Sequence, residues 1–75
     1  MKELIEYIAT SIVDHPESVD VREVRGRHST VIELRVAPDD MGRVIGKQGR
    51  IAGAMRSVLK AAATRSGGRY VLEID

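Results

Sequence analysis

The chain of 75 residues contains no cysteine, no phenylalanine and no tryptophan. Without cysteine, neither a disulfide bond nor a thiolate-bound metal can stabilise a domain of this size. The only aromatic side chains are those of Tyr7 and Tyr70, which are too few for a surface on which nucleic-acid bases stack against rings. The apolar residues are mainly aliphatic, so we expect both the core and any binding pocket to be aliphatic.

The sequence also lacks an excess of charge of one sign and lacks a long apolar run. Twelve basic residues oppose eleven acidic ones and leave a formal net charge of +1, which does not by itself indicate a polyanionic partner. No apolar run approaches the roughly 18 to 20 residues of a membrane span. Glu3 and Glu6 occupy the region where a signal peptide has an uncharged core. We therefore expect a cytoplasmic protein.

The distribution of charge is more informative than its sum. Acidic residues fall in the first 40 positions and in the final segment, whereas a basic series runs through the second half of the chain. The series consists of Arg43, Lys47, Arg50, Arg56, Lys60 and Arg65. The pattern favours one basic face on a nearly neutral molecule, although the solvated surface of an ordinary helix produces the same pattern.

The densest concentration of glycine and basic residues lies between positions 42 and 51. This stretch holds three of the seven glycines and three of the twelve basic side chains. Gly46 and Gly49 bracket Lys47 and Gln48, and glycine permits both a positive φ and the close approach of a foreign backbone. The stretch therefore has the composition of a loop that contacts a ligand.

Helices are predicted on both sides of this loop. Proline and acidic residues at positions 38–40 are typical of a helix start, so a short helix is predicted from Pro38 to Ile45, with Gly46 as its left-handed C-terminal stop. After Gly49, apolar residues recur at the three- and four-residue spacing of a second, longer helix with one buried face. These residues are Ile51, Met55, Val58, Leu59 and Ala62. The positive end of this helix and a lysine would face the gap, where an anionic backbone fits.

The rest of the chain completes an α+β domain. An amphipathic helix is predicted from Met1 to Asp14 because apolar residues recur there at helical spacing. It ends near Asp14 because the residue before Pro16 is pushed out of the helical region. Strands are predicted at 19–24, 30–36 and 69–75 from their alternating pattern. The last strand returns through two helices and can lie parallel to the second, which places the second strand in the middle of a mixed sheet.

Two features of the predicted hairpin stay open. Val24 is out of phase with Val19 and Val21, which indicates either a β-bulge or a partly exposed valine. The tip of the hairpin carries Arg25, Arg27 and His28, which are either merely solvated or form a secondary contact with RNA or a partner.

The segment from Val44 to Ile51 resembles the signature of the KH RNA-binding domain, in which a GXXG loop between two helices clamps about four nucleotides of backbone. The element order resembles the type II, bacterial arrangement of that fold. Over the whole chain the sequence is similar to the small bacterial RNA-binding proteins of the KhpA type, which consist of a single KH domain. The resemblance implies one KH domain over residues 1–75, with three helices covering one face of a three-stranded mixed sheet.

The same resemblance implies a biological role and a partner. It implies an RNA chaperone or post-transcriptional regulator that pairs with a second, larger KH protein carrying a further nucleic-acid-binding domain, whereas association with a second copy is expected from the small core and the single short loop. It also implies an influence on cell elongation and cell wall homeostasis. The properties that the resemblance implies do not follow from periodicity or spacing.

The sequence predicts that single-stranded RNA lies in a groove formed by the helix from Pro38 to Ile45, the loop, the start of the long helix and the facing sheet edge. The predicted RNA-binding residues are Arg43, Val44, Ile45, Gly46, Lys47, Gln48, Gly49, Arg50 and Ile51. Within this set the glycines admit phosphates, the cations attract them and Gln48 supplies a neutral hydrogen bond. The three apolar members serve either as pocket or as core. No cofactor and no metal is expected.

Five other interpretations of the loop are weaker. A Walker A loop needs a longer spacing between its first glycine and the Gly-Lys pair, and it needs Ser or Thr where Gln48 stands. A dinucleotide fingerprint needs a glycine where Val44 stands. An enzyme is not expected because Cys, paired His and a carboxylate cluster near the loop are all missing. A helix–helix turn without a ligand, and a module whose KH surface serves mainly dimerisation, remain alternatives.

Overall fold

The computed structural model describes all 75 residues, and its elements follow the order predicted from the sequence. The helices are α1 (Lys2–Ile12), α2 (Met41–Ile45) and α3 (Arg50–Ser66), and the strands are β1 (Asp20–Arg25), β2 (Thr30–Arg35) and β3 (Tyr70–Ile74). Short 3-10 turns occur at Pro16–Ser18, Pro38–Asp40 and Lys47–Gly49. The predicted fold class is confirmed.

The sheet has the order β1-β2-β3, with β1 antiparallel and β3 parallel to the central β2. The inward-facing residues of β2 and the residue after it are Ile32, Leu34 and Val36, and all three are buried, as the alternating pattern predicts. Ile5, Ala9, Met55 and Leu59 cover them from α1 and α3. All three helices thus pack on one face of the sheet, and the other face is open. No helix in the structure is long and apolar enough to span a membrane.

The valine that is out of phase in β1 has no bulge beside it. The β1–β2 register is continuous, Val24 pairs with Val31, and Val31 pairs with Val71 on β3. Val24 is 49% exposed on the open face of the sheet. The partly exposed valine is therefore confirmed and the bulge is wrong, because cross-strand valine neighbours support one another on the open face without interrupting the ladder.

Two helix boundaries differ from the prediction. The first helix ends at Ile12 rather than Asp14, since Val13 is already extended at φ −95° and ψ 160°. The predicted helix from Pro38 to Ile45 is split into a 3-10 turn followed by five α-helical residues. In both cases the ends of a short helix are set by tertiary contacts that local sequence patterns do not report.

The buried face of α3 also differs from the predicted stripe. Ile51 and Val58 are 37% and 40% exposed, and the buried residues of α3 are Ala52, Met55, Leu59 and Ala63. Alanine carries little hydrophobic weight in a sequence pattern, but its small side chain lets the helix approach the sheet closely. The prediction was therefore correct in period and at Met55 and Leu59, and wrong at Ile51 and Val58.

Asp40 has a structural role that the sequence pattern did not indicate. Its side chain is 1% exposed, and its two carboxylate oxygens accept hydrogen bonds from the backbone N–H groups of Asp14 at 3.1 Å and His15 at 2.9 Å. Because Asp40 directly precedes α2, these bonds tie the segment after α1 to the start of the helix that leads into the glycine loop. The carboxylate thus helps to hold the loop in place.

Candidate functional site

The backbone of the loop between α2 and α3 turns sharply at three residues with positive φ. Gly46 lies at φ 78° and ψ 169°, Gln48 at φ 57° and ψ 25°, and Gly49 at φ 73° and ψ 18°. Gly46 does end α2, but its ψ is extended rather than left-handed helical, so the predicted conformation of the stop is wrong. That region of positive φ and extended ψ is essentially restricted to glycine. The true left-handed residues are Gln48 and Gly49.

The two glycines of the loop differ in the space around them. A Cβ atom on Gly46 would collide with Ile51 Cγ1 and would lie 2.9 Å from the Ile51 backbone nitrogen. A Cβ atom on Gly49 would have no heavy atom within 4 Å. Gly46 is therefore needed to fold the loop, whereas the surface at Gly49 is open to an approaching ligand.

The polar side chains of the loop are exposed and largely free. Lys47, Gln48 and Arg50 are all exposed, and Lys47 takes part in none of the six ion pairs of the structure. Arg50 Nη2 lies 3.5 Å from Gln48 Oε1, at the limit of a hydrogen bond. No partner within the chain neutralises the loop cations at Lys47 and Arg50.

Arg43 differs from these because it already has an anionic neighbour. Its Nη2 atom lies 3.1 Å from Asp14 Oδ2, and the two side chains are 56% and 65% exposed. An ion pair this exposed contributes little free energy, so a phosphate could compete for the guanidinium at small cost.

The three apolar residues predicted at the site occupy different environments. Val44 is fully buried and belongs to the core, so it anchors α2 and offers no surface to a ligand. Ile45 is half-buried. Ile51 is 37% exposed and packs beside Gly46. Only Ile45 and Ile51 therefore present apolar surface near the loop.

The loop lies at the positive end of a long helix. The seventeen residues of α3 begin at Arg50, and their aligned peptide dipoles place a partial positive charge at this end. The Gly49 N–H donates to the Gly46 carbonyl at 3.1 Å, which closes the turn and directs the loop into α3. The surface at the start of α3 thus attracts anions through the helix dipole and through the charges of Lys47 and Arg50.

The largest cavity is not at the loop. A groove of about 520 Å³ lies between the second half of α3 and strand β3. It is lined by Arg56, Leu59, Lys60, Ala63, Thr64, Gly68, Arg69, Tyr70, Val71 and Leu72. The sequence predicts a groove beside the loop itself, but the cavity begins about two helical turns further along α3, because β3 lies beside this part of the helix. Of its charged residues, Arg56 and Lys60 were visible in the basic series, and Arg69 was missed.

A second polar cavity of about 350 Å³ lies at the hairpin tip, lined by residues 26–30 and 67–69. Arg27 and His28, which the sequence places at the tip, therefore lie beside Gly68 and Arg69. The Thr30 N–H donates to the Arg69 carbonyl at 2.8 Å and joins the two segments. The structure contains no cluster of three or more His, Asp or Glu residues that could hold a metal ion.

Comparisons with known proteins show which proteins the chain is similar to over almost its whole length. The family model described as KhpA/KhpB, KH domain matches residues 2–74. The chain is similar to the RNA-binding protein KhpA of Clostridium perfringens and to that of Clostridium acetobutylicum, each 60% identical over 74 residues with 99% of both chains covered.

More distant relatives are similar over the same span. The RNA-binding protein KhpA of Aquifex aeolicus is 49% identical over 74 residues, which cover 99% of this chain and 94% of the relative. No solved structure gives a significant match. These relatives are named for RNA binding and not for a reaction. The chain belongs to the KhpA/KhpB family of KH-domain proteins.

Proposed function

We propose that this chain binds single-stranded RNA through the loop Gly46-Lys47-Gln48-Gly49. The observation that carries the proposal is the exposed, unpaired Lys47 beside an open Gly49 at the positive end of α3. The names of the relatives, RNA-binding protein KhpA, support the same conclusion.

In this proposal each loop residue has a distinct task. The open side of Gly49 admits the sugar–phosphate backbone, and Lys47 and Arg50 attract its charge. Gln48 donates a neutral hydrogen bond from its amide Nε2, because its contact with Arg50 uses only Oε1. Arg43 exchanges Asp14 for a phosphate. Gly46 and the buried Val44 act indirectly, because they set the shape of the loop, while Ile45 and Ile51 offer apolar contact to a base.

A titration of the 15N-labelled chain with a single-stranded RNA of twelve uridines tests the proposal. The largest amide shifts are expected at residues 46–50. If Arg43, Lys47 and Arg50 each neutralise one phosphate, log affinity falls with log salt with a slope of about 2, at roughly 0.7 per phosphate. Shifts confined to other surfaces, or an affinity that does not depend on salt, would contradict the proposal.

We also propose that the chain works as a pair, either with a second copy or with a larger KH protein that carries a further nucleic-acid-binding domain. One loop that holds about four nucleotides gives weak affinity, and joining two sites raises the effective affinity without new contacts. The exposed Val58 on α3 offers apolar surface for such a contact at a position that the proposed RNA site does not use. The alternative, in which this surface serves mainly dimerisation and the loop binds no RNA, is tested by the same titration.

The cellular role that we propose is the one that membership of the family suggests. Weak binding of the backbone of single-stranded RNA by one loop suits an RNA chaperone or post-transcriptional regulator in the cytoplasm. Its influence on cell elongation and cell wall homeostasis would then arise through the transcripts bound. Sequencing RNA crosslinked to the protein in cells would identify them, and absence of crosslinked RNA would contradict the role.

A further inference from the structure

One ion pair joins the helix before the glycine loop to a segment that is distant in sequence. Four of the six ion pairs connect groups only two residues apart, and a fifth joins Arg35 to Asp75 at 3.7 Å. The remaining pair joins Arg43 Nη2 on α2 to Asp14 Oδ2 at 3.1 Å. It is therefore the shortest of the six, and it exists only because the chain folds.

The position of Asp14 is fixed by groups other than its own side chain. The backbone N–H groups of Asp14 and His15 donate to the two carboxylate oxygens of Asp40 at 3.1 and 2.9 Å, and Asp40 is buried. Because Asp40 directly precedes α2, these bonds tie the segment that carries Asp14 to the helix that carries Arg43. The Asp14 carboxylate is thus held beside Arg43 by the backbone as well as by the ion pair.

Arg43 has a nearer acidic residue along the chain that it does not use. Asp39 precedes Arg43 by four residues, a spacing at which charged side chains on a helix can meet. Asp39 is exposed but takes part in no ion pair, whereas Arg43 contacts Asp14. The fold therefore selects the carboxylate that Arg43 faces in the free chain.

A carboxylate at this place opposes RNA binding in two ways. It occupies the guanidinium that a phosphate would use, and it puts a negative charge next to the position of that phosphate. The Asp14 side chain is 65% exposed, and an ion pair between exposed side chains is weak. The competition therefore lowers the affinity for RNA by no more than about five-fold.

We propose that Asp14 is a positioning residue of the RNA site: it holds Arg43 in the free chain, so that RNA engages Arg43 only by displacing this carboxylate. The inference rests on the RNA binding proposed for the loop and adds a residue that limits its affinity. Lys47 and Arg50 have no such competitor, so they attract a strand first. Arg43 then binds only a phosphate that is presented beside α2, which favours strands already bound at the loop over other polyanions.

The first test measures the affinity of Asp14→Asn for a labelled single strand of twelve uridines. Asparagine keeps the shape of the side chain and removes its charge, so affinity rises by about 1.5- to 5-fold, and the gain shrinks as added salt screens the original pair. Asp14→Glu restores the charge and the lower affinity. The matched control Glu17→Gln removes the same charge from an exposed carboxylate that faces His15 and not Arg43, and it leaves the affinity unchanged.

The second test repeats Asp14→Asn in the variant Arg43→Ala. Arg43→Ala weakens RNA binding, and in this background Asp14→Asn no longer raises the affinity, because the carboxylate has no guanidinium to hold. A general repulsion between Asp14 and RNA would instead give the same gain in both backgrounds. Thermal unfolding of each variant checks that the fold persists.

A titration of the 15N-labelled chain with the same RNA follows the exchange directly. The amides of Asp14 and His15 shift together with those of residues 46–50, because the release of Arg43 changes the surroundings of Asp14. In Arg43→Ala the loop amides still shift, and those of Asp14 and His15 do not.

Unchanged or weaker binding by Asp14→Asn, or an equal gain in the Arg43→Ala background, would overturn the role of Asp14 while leaving the loop site intact. An equal gain in Glu17→Gln would also overturn it, since any nearby carboxylate would then have the same effect. Failure of RNA to bind both the original chain and Asp14→Asn would instead contradict the proposed function itself.

Discussion

Replacing Lys47 and Gln48 together by aspartate separates RNA binding from a loop that is merely a turn. Both side chains are exposed, and exposed substitutions usually change the free energy of unfolding by under about 0.5 kcal/mol. The positive φ of 57° at Gln48 is adopted more readily by Asp than by Gln. Both glycines remain, so the backbone of the loop is expected to persist.

The effect on RNA binding follows from the charges. The variant removes one positive charge and adds two negative charges where phosphates are proposed to lie. Each charge pair at about 4 Å contributes on the order of 1 kcal/mol even with the dielectric constant of water, and the Debye length of about 8 Å at physiological salt screens such contacts only in part. Two or three such contributions sum to about 2–3 kcal/mol, which weakens binding by roughly 30- to 150-fold.

The assay is fluorescence anisotropy with a labelled twelve-nucleotide RNA, accompanied by thermal unfolding of each variant. The control Lys2→Asp, Ser18→Asp makes the same total change of charge at exposed positions away from the loop, and it is expected to bind within a few-fold of the original chain. Unfolding of the loop variant would show that Lys47 and Gln48 serve the structure. A folded loop variant that binds RNA normally would show that the binding surface lies elsewhere.

Three further variants test the structural account and one tests association. Asp40→Ala leaves two backbone N–H groups without their acceptor, so thermal unfolding should show a loss of about 2–4 kcal/mol; a loss under about 0.5 kcal/mol would refute its anchoring role. Gly46→Ala combines a positive φ with a collision at Ile51 and should cost more than about 2 kcal/mol, whereas an unchanged melting temperature would contradict the loop geometry. Gly53→Ala should instead raise stability by about 0.5–1 kcal/mol, and a loss would reveal a packing role. Val58→Glu should shift sedimentation toward the monomer if α3 carries the contact surface, and an unchanged profile would place the contact elsewhere.

The elements of the fold could be predicted because the hydrophobic period of each segment agrees with the position of glycine at the turns between segments. Alternation in β2 and β3, the three- to four-residue period in α1 and α3, and glycine at the turns all indicate the same architecture. The phase of α3 could not be obtained in this way, because Ala52 and Ala63 contribute to the buried face through their small size rather than their hydrophobicity. The role of Asp40 was equally invisible, since its two donors lie 26 and 25 residues away in sequence.

The candidate site could be predicted only where its residues are consecutive. The loop from Gly46 to Gly49 is one local motif, so its position and flanking helices follow from the sequence. The groove of α3 and β3 joins Lys60 to Arg69 through a turn, and Arg69 approaches the hairpin tip through its hydrogen bond with Thr30. Such contacts depend on the packing of side chains from α3, β3 and the hairpin tip, which residue patterns do not report.

The two glycines of the loop differ in what the fold requires of them. Gly46 has no room for a side chain because Ile51 occupies that space, so any substitution there changes the backbone that positions every other group. Gly49 has the left-handed φ of 73°, but no heavy atom lies within 4 Å of the position of a Cβ atom. The fold therefore requires glycine there only for its backbone conformation. Gly53 also has no heavy atom within 4 Å of the position of a Cβ atom, and its φ does not require glycine. Gly49 therefore places open space beside the unpaired cations Lys47 and Arg50, and this coincidence of accessible backbone with unpaired charge is what a sugar–phosphate chain requires.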